Sequence, residues 1–187
     1  MADPVIVIDY DPIWRETFER LRQELEAALG DLSLAIEHIG STAVPNLLSK
    51  PIVDIDIVVT EESTPEAIRR LNAIGCVYQG DLGITGREAF TSIPGRSPHH
   101  LYLCQPNTLA LRQHIVFRDF LRASPDAARA YGLAKQAAAI LFRDDRSAYG
   151  EAKAPFIAEI MRRAAAAPTY AKVGIDQTVA QNRDTIS

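Results

Sequence analysis

At 187 residues the chain is long enough for one domain with a sizeable core and short for two. Hydrophobic residues make up 47% and charged residues 24%, ordinary proportions for a globular protein, which excludes general disorder. A formal net charge of −4 gives no whole-chain case for nonspecific nucleic-acid binding, and no apolar run approaches the ~20 residues of a membrane span. The charge is unevenly spread: residues 1–106 carry 8 Lys/Arg against 16 Asp/Glu, and residues 107–166 carry 10 against 6. Acidic and basic halves that together hold a metal–phosphate ligand would explain this, and so would two solvated surfaces of opposite sign. Cys76 and Cys104 form no CxxC pair and no zinc spacing, and each lies in an apolar run, so buried reduced thiols are expected. The first residues carry neither a basic nor an apolar targeting segment, which sets the expectation of a cytoplasmic protein.

In chain order, Val5–Ile8 reads as a strand or extended lead-in. Asp11-Pro12 opens a helix whose apolar face is Trp14, Phe18, Leu21, Leu25 and Leu29, with Gly30 placed as its C-cap. Leu32–Ile39 is predicted as a strand, Gly40–Lys50 as a turn containing one helical turn, and Ile52–Val59 as a second strand. Ser63-Thr64-Pro65 starts another helix, which Gly75 stops. Cys76–Gln79, Glu88–Ile93 and His99–Gln105 follow as strands. The chain then turns helical, over about 107–122, 124–142 and 147–166, and the period is lost after Pro168. Strands and helices mingle at the front and helices gather at the back. That order predicts an α+β fold, a small mixed sheet packed with helices and followed by a helical segment. One domain is expected over 1–167, with a loosely ordered tail over 168–187.

Chemistry concentrates between Gly40 and Asp56. With side chains alternating along a strand, Val53, Ile55, Ile57 and Val59 share the core face, and Asp54 and Asp56 share the other. Two like charges on one strand face call for a compensating partner, and a hard divalent cation, Mg²⁺ or Mn²⁺, is the natural one. An edge strand with a wet outer face is the alternative. Upstream, Gly40 permits close backbone approach to a ligand, and Ser41 and Thr42 offer hydroxyl donors, so this turn is a candidate phosphate cradle. An ordinary capped turn is the alternative there. Lys50 is a candidate phosphate charge or a solvated lysine.

Gly40-Ser41, a dozen residues, then Asp54-Ile-Asp56 in an apolar strand resembles the nucleotidyltransferase superfamily. The fuller string Gly40-Ser-Thr-Ala-Val-Pro45, Lys50-Pro51 and Asp54-Ile-Asp56 resembles the GrpB family. Tyr10-Asp-Pro-Ile-Trp14, Phe117-Arg-Asp-Phe-Leu-Arg122, Tyr131…Lys135 and Tyr149…Lys153 extend the resemblance over about residues 8–163. It implies a nucleotidyltransferase-like fold in which Asp54 and Asp56 ligate Mg²⁺ or Mn²⁺, Gly40, Ser41, Thr42 and Lys50 hold a nucleoside triphosphate, and a nucleotidyl group passes to an acceptor. Position 46 is Asn where the family string has Gly; Asn tolerates left-handed backbone. The superfamily's third carboxylate belongs on a later strand, but His99-His-Leu-Tyr-Leu-Cys104 has no acid, so Glu88 or His100 would take that role. Loss of turnover with the fold retained, giving a ligand-binding module, is the alternative function. Neither the acceptor nor the oligomeric state is encoded in these motifs, and the basic helices carry too few aromatics to argue for RNA.

Overall fold

The α1 helix (Ile13–Leu29) buries Trp14, Phe18, Leu21, Leu25 and Leu29, the stripe expected from spacing alone. It ends where Gly30 takes φ 60, and the Gly30 N–H closes back onto the Glu26 carbonyl. The computed structural model describes residues 4–168; the expected tail lies, from residue 169, outside the described residues. The chain divides into two compact units: Pro12–Ile39 with Ile52–Leu111, and the described parts of Met1–Asp11, Gly40–Pro51 and Arg112–Ser187.

The first unit is built on a five-stranded mixed sheet. Its strands are β1 (Ala35–Ile39), β2 (Val53–Val58), β3 (Tyr78–Gly80), β4 (Arg87–Phe90) and β5 (His99–Cys104), in spatial order β1-β2-β5-β4-β3. Only β2 and β5 pair in parallel; the other neighbours are antiparallel. A parallel pair needs a long crossover, and here α2 (Thr64–Ala73), β3 and β4 intervene. One sheet face carries Ile55, Ile57, Leu101 and Leu103, all at 0–1% exposure. On that face His38, opposite Ile55, stacks on Phe18 of α1 at 4.6 Å, so α1 covers it. Leu32–Leu34, predicted as the start of a strand, instead forms the end of a 3₁₀ turn and an extended link, because the Gly30 reversal runs on into Gly30–Leu32.

The second unit is helical: most of α3 (Leu109–Ala123), then α4 (Pro125–Leu141) and α5 (Arg146–Ala166). One core cluster joins Val116, Phe117, Phe120 and Leu121 of α3 to Tyr131 of α4, Ile157, Ile160 and Met161 of α5, and Val44 and Leu47 of the 40–51 segment. Gly132 permits that last contact, since a Cβ there would lie 3.2 Å from the Leu48 Cβ. The lead-in is extended rather than a full strand; Ile8 makes one antiparallel bridge with Ser49. α5 starts one residue before the expected Ser147, because the Asp145 side chain accepts from the Ala148 N–H and caps it. Among the described residues no helix is long and apolar enough to cross a membrane.

Gly86, between β3 and β4, has φ +78, and a Cβ there would meet Thr108 Cγ2 at 2.7 Å. Gly86→Ala should therefore lower unfolding free energy by roughly 1–3 kcal/mol in urea titrations, from left-handed strain and overpacking together. Adding Thr108→Ser removes the methyl but keeps the Oγ1 bond to the Gln105 carbonyl. The double variant should recover the overpacking part only.

Candidate active site

Residues directly opposite one another in a ladder project to the same sheet face. Asp54 pairs with His100 and Asp56 with Tyr102 across the parallel seam; Ile39 and Glu37 of β1 lie opposite Asp54 and Asp56 on the other side. Arg87 of β4 lies opposite Cys104. The face away from α1 therefore carries Glu37, Asp54, Asp56, His100, Tyr102, Cys104 and Arg87. β2 is an interior strand, and Asp54 and Asp56 are 7% and 0% exposed. The wet-edge reading of these carboxylates is thereby removed.

His100 sits against Asp54, with Nδ1 at 2.7 Å from Oδ1. A carboxylate oxygen accepts, so Nδ1–H is the donor. The buried Arg87 guanidinium lies over the Tyr102 ring, 4.3 Å from its centroid. Glu88, weighed above as a third acid, points to the opposite face, where it is opposite Leu103 and accepts a 2.6 Å bond from the Tyr78 hydroxyl. That face assignment rules it out as a partner of Asp54 and Asp56. Glu37 is the carboxylate that sequence reasoning missed, and only the β1–β2 register reveals it.

His99, on the face opposite His100, is buried and structural. Its Nε2 receives the Ile93 N–H at 2.9 Å, which places the proton on Nδ1, facing the Ser97 carbonyl at 2.8 Å. Desolvation holds His99 below the ordinary imidazole value. Cys76 and Cys104 are buried free thiols, as expected, and desolvation pushes Cys76 up to about 11 and raises Cys104 as well. Among the described residues no three or more His, Cys, Asp or Glu side chains converge as a ready-made metal cage.

The other candidates lie in the helical unit. Gly40 has φ 70 and ψ −168, a region essentially reserved for glycine. Ser41–Ala43 form a single 3₁₀ turn, with the Val44 N–H bonded to the Ser41 carbonyl at 3.1 Å. Asn46 is left-handed, φ 63, as its tolerance for that region anticipates. Thr42 is buried and Ser41 half-buried. Lys50 is half-buried, its Nζ 5.7 Å from the Tyr149 ring centroid; Lys153 Nζ lies 4.5 Å from the same ring and Lys135 Nζ 4.7 Å from Tyr131. Lys135 and Lys153 are only 2% and 3% exposed. The two Tyr-x-x-x-Lys pairs were visible in the sequence, and their burial was not. The sheet unit thus gathers Asp54, Asp56 and His100, while Gly40, Ser41, Thr42 and Lys50 belong to the helical unit.

A family model described as "GrpB protein" matches residues 4–163. The UPF0157 protein YqkA of Bacillus subtilis is 33% identical over 154 residues, covering 82% of this chain; the chain spans 45% of that relative's length. The crystal structure of the conserved protein GrpB from Enterococcus faecalis superposes with a TM-score of 0.77 at 37% identity, covering 85% of this chain and 96% of that one. The structure of Cid1 in complex with its short product ApU superposes with a TM-score of 0.51 at 14% identity, covering 68% and 42% of the two chains. The latter likeness is one of fold, and the fold is nucleotidyltransferase-like.

Because His99 is held neutral below the ordinary value, the unfolded chain takes up its proton first as pH falls. The stability due to His99 is complete above about pH 6.5 and is lost as pH falls through the lowered folded value. Urea unfolding at about pH 7.5 and about pH 5.5 should show a smaller acid loss for His99→Gln than for the wild type. The variant should also be less stable at the higher pH.

Proposed function

The chain belongs to the GrpB family, and from that premise we propose that it is a metal-dependent, nucleotidyltransferase-like protein that binds a nucleoside triphosphate through its Gly-Ser and Asp-x-Asp motifs and transfers a nucleotidyl group to an acceptor hydroxyl. The observation that carries this reading is the burial of Asp54 and Asp56 together on one face of an interior strand. Two like-charged groups brought side by side on a buried face gain from a shared cation, beyond the His100 bond that Asp54 already has.

The donor chemistry fits a hard divalent ion. Asp54 and Asp56 offer carboxylate oxygens, and Glu37 adds a third carboxylate to the same face. Mg²⁺ or Mn²⁺ is held by such oxygens together with substrate phosphates and retained waters, so two or three protein carboxylates suffice without a closed cage. His100, whose imidazole suits softer metals, serves here by holding Asp54 rather than as a ligand. When bound, the cation would neutralise triphosphate charge and acidify the attacking hydroxyl.

The chain's own residues do the rest. Gly40, lacking a Cβ, admits a phosphate close to the backbone, and the Ser41 and Thr42 hydroxyls and turn amides supply donors. A three-residue turn has almost no helix dipole, so individual donors carry this role. Lys50 supplies positive charge. In the transfer, the acceptor hydroxyl gives its proton to solvent water, its oxygen forms a bond to the α-phosphorus, the bond from that phosphorus to the β-phosphate bridge breaks, and pyrophosphate leaves. A second reading, nucleotide binding without turnover, is favoured by one observation: β5 places His100 and Tyr102, not a carboxylate, beside the two aspartates.

A ligand that binds only the folded state raises stability by mass action, about 2.7 kcal/mol at a hundredfold excess over Kd. Melting scans with ATP, GTP, CTP and UTP should show a rise of several degrees for at least one nucleotide. The rise should need Mg²⁺ or Mn²⁺ and vanish in Asp54→Asn/Asp56→Asn. No shift under any condition would overturn the proposal, and a shift without nucleotide consumption would favour the binding module. Glu37→Gln should weaken Mn²⁺ binding, followed by electron paramagnetic resonance, by roughly tenfold or more, in line with losses at outer metal-site partners.

A further inference from the structure

The segment Phe117-Arg-Asp-Phe-Leu-Arg122 carries part of the family resemblance, yet the function above gives it no task. Its apolar members, Phe117, Phe120 and Leu121, enter the core that holds Val44 and Leu47. Its polar members address the same segment from α3. Arg122 Nε donates to the Ala43 carbonyl at 2.9 Å, across 79 positions of sequence. Asp119 Oδ1 lies 3.6 Å from Arg122 Nη1 and accepts from Arg118 Nε at 2.7 Å. Arg118 is itself 8% exposed.

Within the Gly40–Ala43 turn the Val44 N–H bonds the Ser41 carbonyl. Ala43 is buried, and a buried carbonyl needs a donor. A guanidinium supplies a charge-assisted one, stronger than an amide would. Gly40 alone cannot hold the turn, because a residue without a side chain permits its φ of 70 without enforcing it.

We propose that Arg122 is a positioning residue: through the Ala43 carbonyl it clamps the Gly40–Ala43 turn in the form that offers Ser41 and Thr42 to a phosphate group, and Asp119, shared with Arg118, aims the guanidinium. The phosphate role of the turn rests on the function proposed above; the clamp itself does not. Phe120 and Leu121 fix α3 against Val44 and Leu47, so the arginine stands on an anchored helix rather than a loop.

The test uses the full chain as wild type, Arg122→Ala and Arg122→Lys, with circular dichroism and melting curves to confirm folding. Amide hydrogen exchange is read over residues 41–44, and MgATP affinity by calorimetry. Arg122→Ala should speed exchange in the turn about tenfold while exchange in the α4 and α5 cores stays as in the wild type, and should weaken MgATP binding about tenfold. Arg122→Lys, which keeps a cationic donor, should restore most of both. Unchanged exchange at residues 41–44 in folded Arg122→Ala overturns the clamp whatever MgATP does. If Arg122→Ala fails to fold, the lysine variant decides: wild-type exchange in the turn supports the clamp, and fast exchange in the turn of a folded Arg122→Lys overturns it. A wild type that binds no MgATP while exchange in the turn still responds to Arg122→Ala refutes the nucleotide reading and upholds the clamp.

Discussion

Burying Asp54 and Asp56 on an interior strand constrains everything around them. Their strand must keep its register, since a slip of one residue would drive both carboxylates into the face where Ile55 and Ile57 pack against α1. The parallel pairing with β5 then fixes which residues stand beside them, His100 next to Asp54 and Tyr102 next to Asp56. Buried negative charge also shapes the neighbourhood. His100 brings a hydrogen-bond donor to Asp54, and Arg87 brings a buried guanidinium onto the ring of Tyr102 on the same face. The opposite face is mainly Ile and Leu with the stacked pair Phe18–His38, and the buried His99 there is satisfied by the Ile93 N–H and the Ser97 carbonyl.

What was legible in the sequence was local. The α1 stripe, the Gly30 cap and the alternation of β2 depend only on spacing within one element, and all three appear in the structure. The opposed faces of His99 and His100 follow from the same period of two. Strand order is not local. Whether β2 lies at an edge or inside the sheet, and whether Glu88 or Glu37 shares the face of Asp56, both depend on what packs against what. Glu37 sits in an unremarkable run, Ala35-Ile-Glu-His-Ile39, and acquires meaning only from a register set by β2. Glu88 looked suitable by type and place along the chain, and the antiparallel register with β5 turned it to the other face.

The basic character of residues 107–166 also changes meaning once burial is known. Lys135, Lys153 and Arg118 of that segment are more than nine-tenths buried, so its positive charge is not simply a solvated surface. Each lysine lies over the face of the tyrosine four residues before it, where the ring quadrupole offsets part of the desolvation cost. Tyr149 shares in that cost: its hydroxyl is buried with no hydrogen-bond partner among the described residues, and desolvation pushes its ionisation up to about 12. A neutral phenol is thereby kept beside Lys50 and Lys153 across the whole working pH range. The i, i+4 spacing announced these pairs; only the packing of α4 against α5 withdrew them from water.

The histidine bonded to Asp54 does not exhaust that carboxylate's acceptor capacity. An ionised carboxylate has about four acceptor sites, and the Nδ1–H of His100 uses one of them, at Oδ1. The other oxygen keeps its lone pairs. A hydrogen bond of this kind also fixes the rotation of the carboxylate plane, which an isolated Asp on a strand would not do for itself. His100 therefore resolves a difficulty that the β5 sequence posed. β5 has no acid beside the aspartates, yet it contributes the group bonded to one of them, and β1 on the other flank brings Glu37 to the same face. Which side chains share that face is set by sheet register rather than by motif spacing, because parallel and antiparallel neighbours bring their side chains to the same face of β2 from opposite sides.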